Sequence, residues 1–524
     1  MTTSAPIDLA LAEEAPRRRR RLARWIGASL AVVIAAISAI EAIASTGDWR
    51  SVRDHQYLVS LDGADCGRMR RQRETDGARN RLRETTSLRV LRDGTPIEIE
   101  IELEMTETST GEPLEVRRRL TTNGAPSVVT WTFEPDRVEV VTEQAGRRAV
   151  DRASLPPRLG ERPWLTPLQA EEFLAARRAA GASRVEWSML SFERGLEVVD
   201  AVATRVDDGT FRWQGRAIPV ARWEVRTSGD PLAGTESWSE DGRLVEAIVR
   251  TGLGDLRMRL VEPEVAATWR SGPAPDVLRR TAVPLEGRLP RGRIATLRVS
   301  LDEGELPALP RTASQQVLAS EARSATLRVG ELVQPRWQDE EPPPAMLAST
   351  SLADLKDPAL VELARDAGGR GGPPAVRAER MRRFVRGYIR DVDLESALAS
   401  ASEIVRSRRG DCSEHAVLLA ALLRLDGIPA RMAVGLVHAD RFAGKENVFA
   451  WHAWTQAWID GRWIDLDATL ARTHERPHVM TSSSDLSSGP FDPAWSAVLP
   501  LMGAVRIAVV EQVEPPSPEG GDSR

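Results

Sequence analysis

The chain has 524 residues, with 71 Lys+Arg against 76 Asp+Glu, a formal net charge of −5 and 42% hydrophobic residues. That length suggests about three or four domains, each able to bury its own core, and the composition excludes wholesale disorder. The near-neutral balance argues against a nucleic-acid partner, and two cysteines, Cys66 and Cys412, exclude a disulfide framework or a multi-thiolate metal site.

The N-terminus carries arginine at positions 17–21 and at Arg24, ahead of an apolar run over 25–40 that Glu41 interrupts and 42–44 extend. Only Arg50 and Arg53 stand on the far side, so the positive-inside bias keeps residues 1–24 cytoplasmic, makes 25–45 a membrane span and sends the rest across. A cleavable signal ending at Ala42-x-Ala44 is the competing reading and gives the same compartment.

Residues 50–262 read as β structure. In 97–105, Ile97, Ile99, Ile101, Leu103 and Met105 alternate with four glutamates, a half-buried strand. Turn signals at Asn123-Gly124, Pro135-Asp136, Asp207-Asp208-Gly209 and Glu240-Asp241-Gly242 separate further strand-like runs. One helix interrupts: Thr166-Pro167-Leu168-Gln169 combines an N-cap, a first-turn proline and a capping-box glutamine, and Gly181 ends it. Strand runs on both sides of it hint at two similar β layers. Cys66, in a Gly-flanked turn, reads as an incidental thiol.

Residues 263–345 read as a second β module, with strand-like 294–299 and 325–329, closing on a stiff, solvated linker over 338–344. Helical periodicity follows over 376–389, where Met381, Phe384, Val385, Tyr388 and Ile389 form one stripe. The stretch 494–505 reads as a short helix and strand, and 511–524 as a disordered Pro/Gly/acidic tail.

Chemistry concentrates between 409 and 469. Asp411 can cap a helix, Glu414 closes a capping box, and Gly427 with Pro429 stops it. Cys412 then lies in the first turn of an apolar helix, where the helix dipole favours its thiolate. Of six histidines, His452 lies in a convincing strand over 449–459, followed by the hairpin signal Asp460-Gly461. With a two-residue turn, opposed positions set Gln456 against Asp465, Trp454 against Asp467 and His452 against Thr469 on one face. Asp467 is then a diagonal neighbour of His452, and Asp465 is one pleat further away.

A nucleophile at a helix N-terminus, a base on a strand and a carboxylate on the next strand resemble the transglutaminase-like superfamily, over about residues 346–510. The matching pieces are Arg409-Gly410-Asp411-Cys412 with its helix, Gly427-Ile428-Pro429-Ala430-Arg431, the strand ending His452-Ala453-Trp454, and the run from Gly461 to Thr469; Ala468 stands where the family often has proline. The resemblance implies an α+β papain-like core behind β-rich N-terminal modules and one transmembrane helix. It also implies catalytic Cys412, His452 and Asp467, no cofactor, a peptide or protein amide as substrate, and a thioester passed to water or an amine.

Other readings stand beside it. Cys412-x-x-His415 with His438 would make half a metal site, and Tyr388 is a guess for a second oxyanion donor. Trp451, Trp454, Trp458 and Trp463 either line a substrate cleft or cover the sheet. A different class also stays open: a non-catalytic envelope scaffold that binds a partner through its β modules. Oligomeric state is not legible.

Overall fold

In the computed structural model the described residues run from 48 to 510, apart from 156–163, 229–232, 291–293, 369–370, 392–397, 488–492, 499–500 and some single positions. The basic N-terminus, the span expected over 25–45 and the tail expected over 511–524 lie outside them. No helix among the described residues is long and apolar enough to cross a membrane.

Fourteen strands, from Arg50–Leu61 to Gly254–Val261, form one antiparallel sheet. Counted along the chain, their order is 8-7-6-5-4-3-2-1-14-13-12-11-10-9. Neighbours in sequence pair through tight turns such as Asn123-Gly124, whose positive φ values of 48° and 83° are the left-handed backbone conformation that a two-residue hairpin needs to match the right-handed twist of its strands. The two halves hinted at as separate layers are a single sheet, because the first strand pairs with the fourteenth from Gln56–Val261 to Leu61–Leu256. The helix Pro167–Ala179, with its Thr166/Gln169 capping box, bridges the halves. Leu168 joins the cluster of Leu82, Met105 and Trp131, while Ala170 and Leu174 join that of Val185, Trp187 and Trp223. Glu171 ties it to the sheet through Arg53 and Arg71, each at 3.3 Å.

The segment 263–345 makes no sheet of its own. Its strands Val283–Glu286, Ile294–Leu301, Gln315–Glu321 and Ser324–Gly330 extend a nine-stranded sheet that also holds Ala430–Phe442, Lys445–Ile459, Arg462–Leu466, His478–Ser484 and Val505–Val509. Leu297, Val299 and Leu327 share one apolar cluster with Leu436, Phe449 and Ile507, so separating the module would expose a common core. The expected solvated linker is pinned as well: Asp339 N donates to Gly461 O (3.1 Å), and Asp339 Oδ2 accepts from Trp463 N (2.8 Å).

On this sheet packs the helix Cys412–Leu425, surrounded by Pro358–Gly368, Pro374–Tyr388 and Ala401–Ser407. Residues 416–423 are at most 2% exposed. Burying each large aliphatic side chain there contributes about 1.5–3 kcal/mol, which anchors the helix against the strand Lys445–Ile459.

Candidate active site

The start of the helix Cys412–Leu425 is fixed by its cap. Asp411 accepts from Ser413 N at 2.9 Å, and Glu414 Oε2 accepts from Asp411 N at 2.8 Å. A Cβ on Gly410 would stand 2.3 Å from Glu414 Cβ, so only glycine lets Glu414 fold back in this way. Cys412 therefore occupies the first helical position and is half-buried.

The hairpin turns at Asp460-Gly461, both with positive φ (52° and 76°). Ile459 pairs with Arg462, Trp458 with Trp463 and Gln456 with Asp465, the register expected from a two-residue turn. His452 Nε2 lies 2.8 Å from Asp467 Oδ2, just beyond the end of the strand Arg462–Leu466. Asp465 is committed elsewhere, accepting from Trp454 Nε1 (2.9 Å) and Gln456 Nε2 (2.8 Å). With Nε2 held by Asp467, Nδ1 is the ring nitrogen available to a thiol.

Three further residues hold Asp467 and were not singled out from sequence. His478 Nε2 approaches the same Oδ2 at 3.0 Å, and His478 Nδ1 lies 3.0 Å from Arg476 O. The carboxylate only accepts, so His478 donates to it from Nε2. His478 arrives on the strand paired with Ala430–Phe442, which carries Gly435 opposite His452; a Cβ there would stand 2.0 Å from Val479 O. Thr469 donates to Asp467 Oδ1 from its backbone N (2.8 Å) and its hydroxyl (2.6 Å). Arg382, 1% exposed, donates to the carbonyls of Asp467 (2.8 Å), Leu470 (2.7 Å) and Ala471 (2.8 Å) and so clamps the loop behind the carboxylate. Only the apolar stripe of its helix was legible; a buried arginine within that stripe is the signal that could have found it.

The electrostatics differ from simple helix-dipole reasoning. Burial and the Asp411 carboxylate push the Cys412 thiol well above its ordinary value, against a backbone hydrogen bond from Ala453, the residue after His452. Burial opposes ionisation of Asp411 too, yet Arg92 at 2.6 Å and hydrogen bonds from its neighbours hold it below the usual range. Glu414, buried beside that carboxylate, is pushed up to about 8. Asp467 is held well below the ordinary range: its burial is outweighed by the charge of His452 and by hydrogen bonds from His452 and His478.

A cavity of about 870 Å³ opens over Cys412, His452, His415 and Thr469. Of the four tryptophans only Trp451 lines it; Trp454 stacks on His452 at 6.2 Å, and Trp458 and Trp463 pair edge to face at 5.5 Å. The Tyr388 hydroxyl donates to Val405 O (2.8 Å) and is not offered to an oxyanion. His415 Nδ1 donates to Asp411 O (2.7 Å), whereas His438 bonds Asn447 (3.1 Å) and lines a different cavity, so the half metal site does not assemble. Among the described residues, the His/Cys/Asp/Glu cluster with ligand atoms within 4.8 Å is His452, Asp467 and His478. Its atoms are already joined by the imidazole N–H groups that Asp467 Oδ2 accepts, which a cation would have to displace. Cys66 is buried in the large sheet, and burial pushes its thiol up to about 11, in keeping with an inert side chain.

Comparison with known sequences adds a family match over part of the chain. Residues 362–468 match the transglutaminase-like superfamily. That stretch contains Cys412, His452 and Asp467, and the core around it is hereafter the transglutaminase-like domain. Two solved structures are similar to the chain. A candidate cysteine protease of Cytophaga hutchinsonii is 18% identical, over 41% of this chain and 80% of that one, with a TM-score of 0.26. A candidate protease of Parabacteroides distasonis is 12% identical, over 71% of this chain and 68% of that one, with a TM-score of 0.19. No curated protein matches significantly.

Proposed function

We propose that the protein is a cysteine acyl-transfer enzyme acting on peptide or protein amides, with Cys412 as nucleophile, His452 as base and Asp467 as the group that orients it. The observation that carries this reading is the buried His452–Asp467 hydrogen bond of 2.8 Å, with His452 and Cys412 facing one cavity. His452 Nδ1 takes the thiol proton as Sγ attacks the amide carbon, and the Cys412 backbone N–H at the helix N-terminus is a donor for the oxyanion. The imidazolium gives its proton to the departing amine, leaving a thioester. Water or an acceptor amine, deprotonated by the same imidazole, then attacks the thioester; the thiolate leaves and the cycle closes.

Because its own environment disfavours the thiolate, Cys412 depends on His452 for activation. Hydrolysis is the favoured second half-reaction: Lys356 and Lys445 are the chain's only lysines, which makes self-crosslinking a poor use of the site. The arginine block and apolar run before residue 46 support an N-terminal anchor with the transglutaminase-like domain outside the cytoplasm.

The test is the pH dependence of Cys412 alkylation by iodoacetamide, mapped by mass to separate it from Cys66, in the full chain and in His452→Ala. Alkylation at neutral pH that depends on the imidazole, and is lost or strongly slowed in the variant, is the expected result, because His452 must take the proton that the buried thiol otherwise keeps. An ordinary thiol indifferent to His452 would overturn the proposal in favour of a binding scaffold.

A further inference from the structure

The cavity over Cys412 is not walled by the transglutaminase-like domain alone. Thr122 and Ile97 come from the large sheet, Leu253 from the turn before its last strand, and Val277 from the segment after it. Ile389, Phe442 and Trp451 of the transglutaminase-like domain line the same cavity. The far wall is fastened in place. Leu91 N donates to Pro275 O (2.8 Å), Val277 N to Leu91 O (2.9 Å), Arg280 to Leu253 O (2.7 Å) and Gln144 to Leu398 O (3.0 Å). Arg92 reaches from the same hairpin to Asp411, at the foot of the nucleophile helix.

We infer that the β sheet forms the acyl-donor wall of the site and selects amides that carry a bulky apolar group beside the scissile carbonyl. Size and chemistry both point this way. At about 870 Å³ the cavity lies near the top of the range of about 300–1,000 Å³ typical of pockets for drug-sized ligands, far more than a lone carboxamide needs. Ile97, Leu253, Val277, Ile389, Phe442 and Trp451 give the cavity a largely apolar surface, which gains from burying an apolar group, while Arg92, Arg386, Arg390 and Asp391 bring charge to the same lining. This inference rests on the thiol–imidazole reading above and adds a role for the sheet, which that reading leaves idle.

The test needs no natural substrate. Cys412 in the full chain is alkylated with iodoacetamide and with N-benzyliodoacetamide, and the ratio of the two rates is compared with that of N-acetylcysteine. The wild-type ratio should exceed the free-thiol ratio by about tenfold, as expected for burying a phenyl group. Leu253→Asp, at a half-buried position, and Thr122→Trp, which fills the space, should both return the ratio towards that of the free thiol. Reading a ratio prevents a general loss of thiol reactivity from imitating this result. A wild-type ratio equal to the free thiol's, or variants that keep the preference, would overturn the inference. An iodoacetamide rate indifferent to His452 would instead overturn the enzymatic reading, so the two failures are distinguishable.

Discussion

Asp467→Asn exchanges a single oxygen for nitrogen and tests the shared carboxylate directly. Oδ1 accepts from Thr469 N and Thr469 Oγ1 at 2.8 and 2.6 Å, and Oδ2 accepts from His452 and His478 at 2.8 and 3.0 Å. All four partners donate, whereas an asparagine amide accepts on one side only. Turned to suit Thr469, it faces both imidazoles with N–H groups. His452 must then shift its proton to Nδ1 and offer the thiol a donor in place of a lone pair. Each hydrogen bond to a charged group contributes about 1.5–3 kcal/mol, and breaking a buried pair costs about 3–5 kcal/mol. The variant should therefore lose about 3–5 kcal/mol of stability at pH 7, and turnover should fall about 10⁴-fold, as a wrong tautomer does in other triads. Urea unfolding read by tryptophan fluorescence is apt, since Trp454 stacks on His452. Burial works against the Asp467 anion, but His452 and His478 hold it well below the ordinary range. Its contribution is thus complete above the unfolded carboxyl value of about 3.9 and is lost as pH falls through the lower folded value. The gap between the two proteins should stay full from pH 7 to about pH 4 and narrow only below that. A gap under about 1 kcal/mol at pH 7, with unaltered alkylation, would refute the reasoning.

Three further perturbations address the surroundings of the triad. Arg92→Ala removes the cation 2.6 Å from Asp411, so the thiol should move further up and alkylation at pH 7 should slow about two- to fivefold, the scale of a partly exposed pair; a pH–rate profile superimposable on wild type would count against this. His478→Phe keeps an aromatic ring against Trp454 but deprives Asp467 of one donor, and unfolding should register a loss of about 1.5–3 kcal/mol. Glu414 is pushed up to about 8 by burial and by Asp411. Between the unfolded value of about 4.3 and that folded value the native state holds a proton that the unfolded chain releases, so wild-type stability declines as pH rises through this window. The melting temperature of Glu414→Gln relative to wild type should rise from pH 5 to pH 8; a constant difference would show that Glu414 titrates normally.

What was legible in the sequence was local. The capping box at Asp411, the positive-φ turn at Asp460-Gly461 and the choice of Asp467 over Asp465 all follow from rules acting over a few residues or across one hairpin, and His452 and Asp467 are only 15 residues apart. The path of 263–345 into the core sheet was not legible, because its partner Val505–Val509 lies at the far end of the chain. Nor was Arg382, whose carbonyl partners stand 85–89 residues on, and whose helical stripe reads as apolar without it.

The thiol marks the sharpest divide between local and long-range effects. Helix-dipole reasoning makes the first turn a place where a thiolate is favoured. Yet the residue that allows the helix to begin there is Asp411, and its carboxylate is itself an anion beside Cys412. Capping and activation thus oppose each other at adjacent positions, and the conflict is relieved from outside the motif. Arg92, 319 residues away in sequence, pairs with Asp411 and is among the charges that lower the thiol, while His452 faces the same cavity as the thiol. A site organised in this way has a reactivity that depends on how the sheet is seated on the transglutaminase-like domain. The sheet is therefore better viewed as part of the proposed site than as a spacer between that domain and the N-terminus.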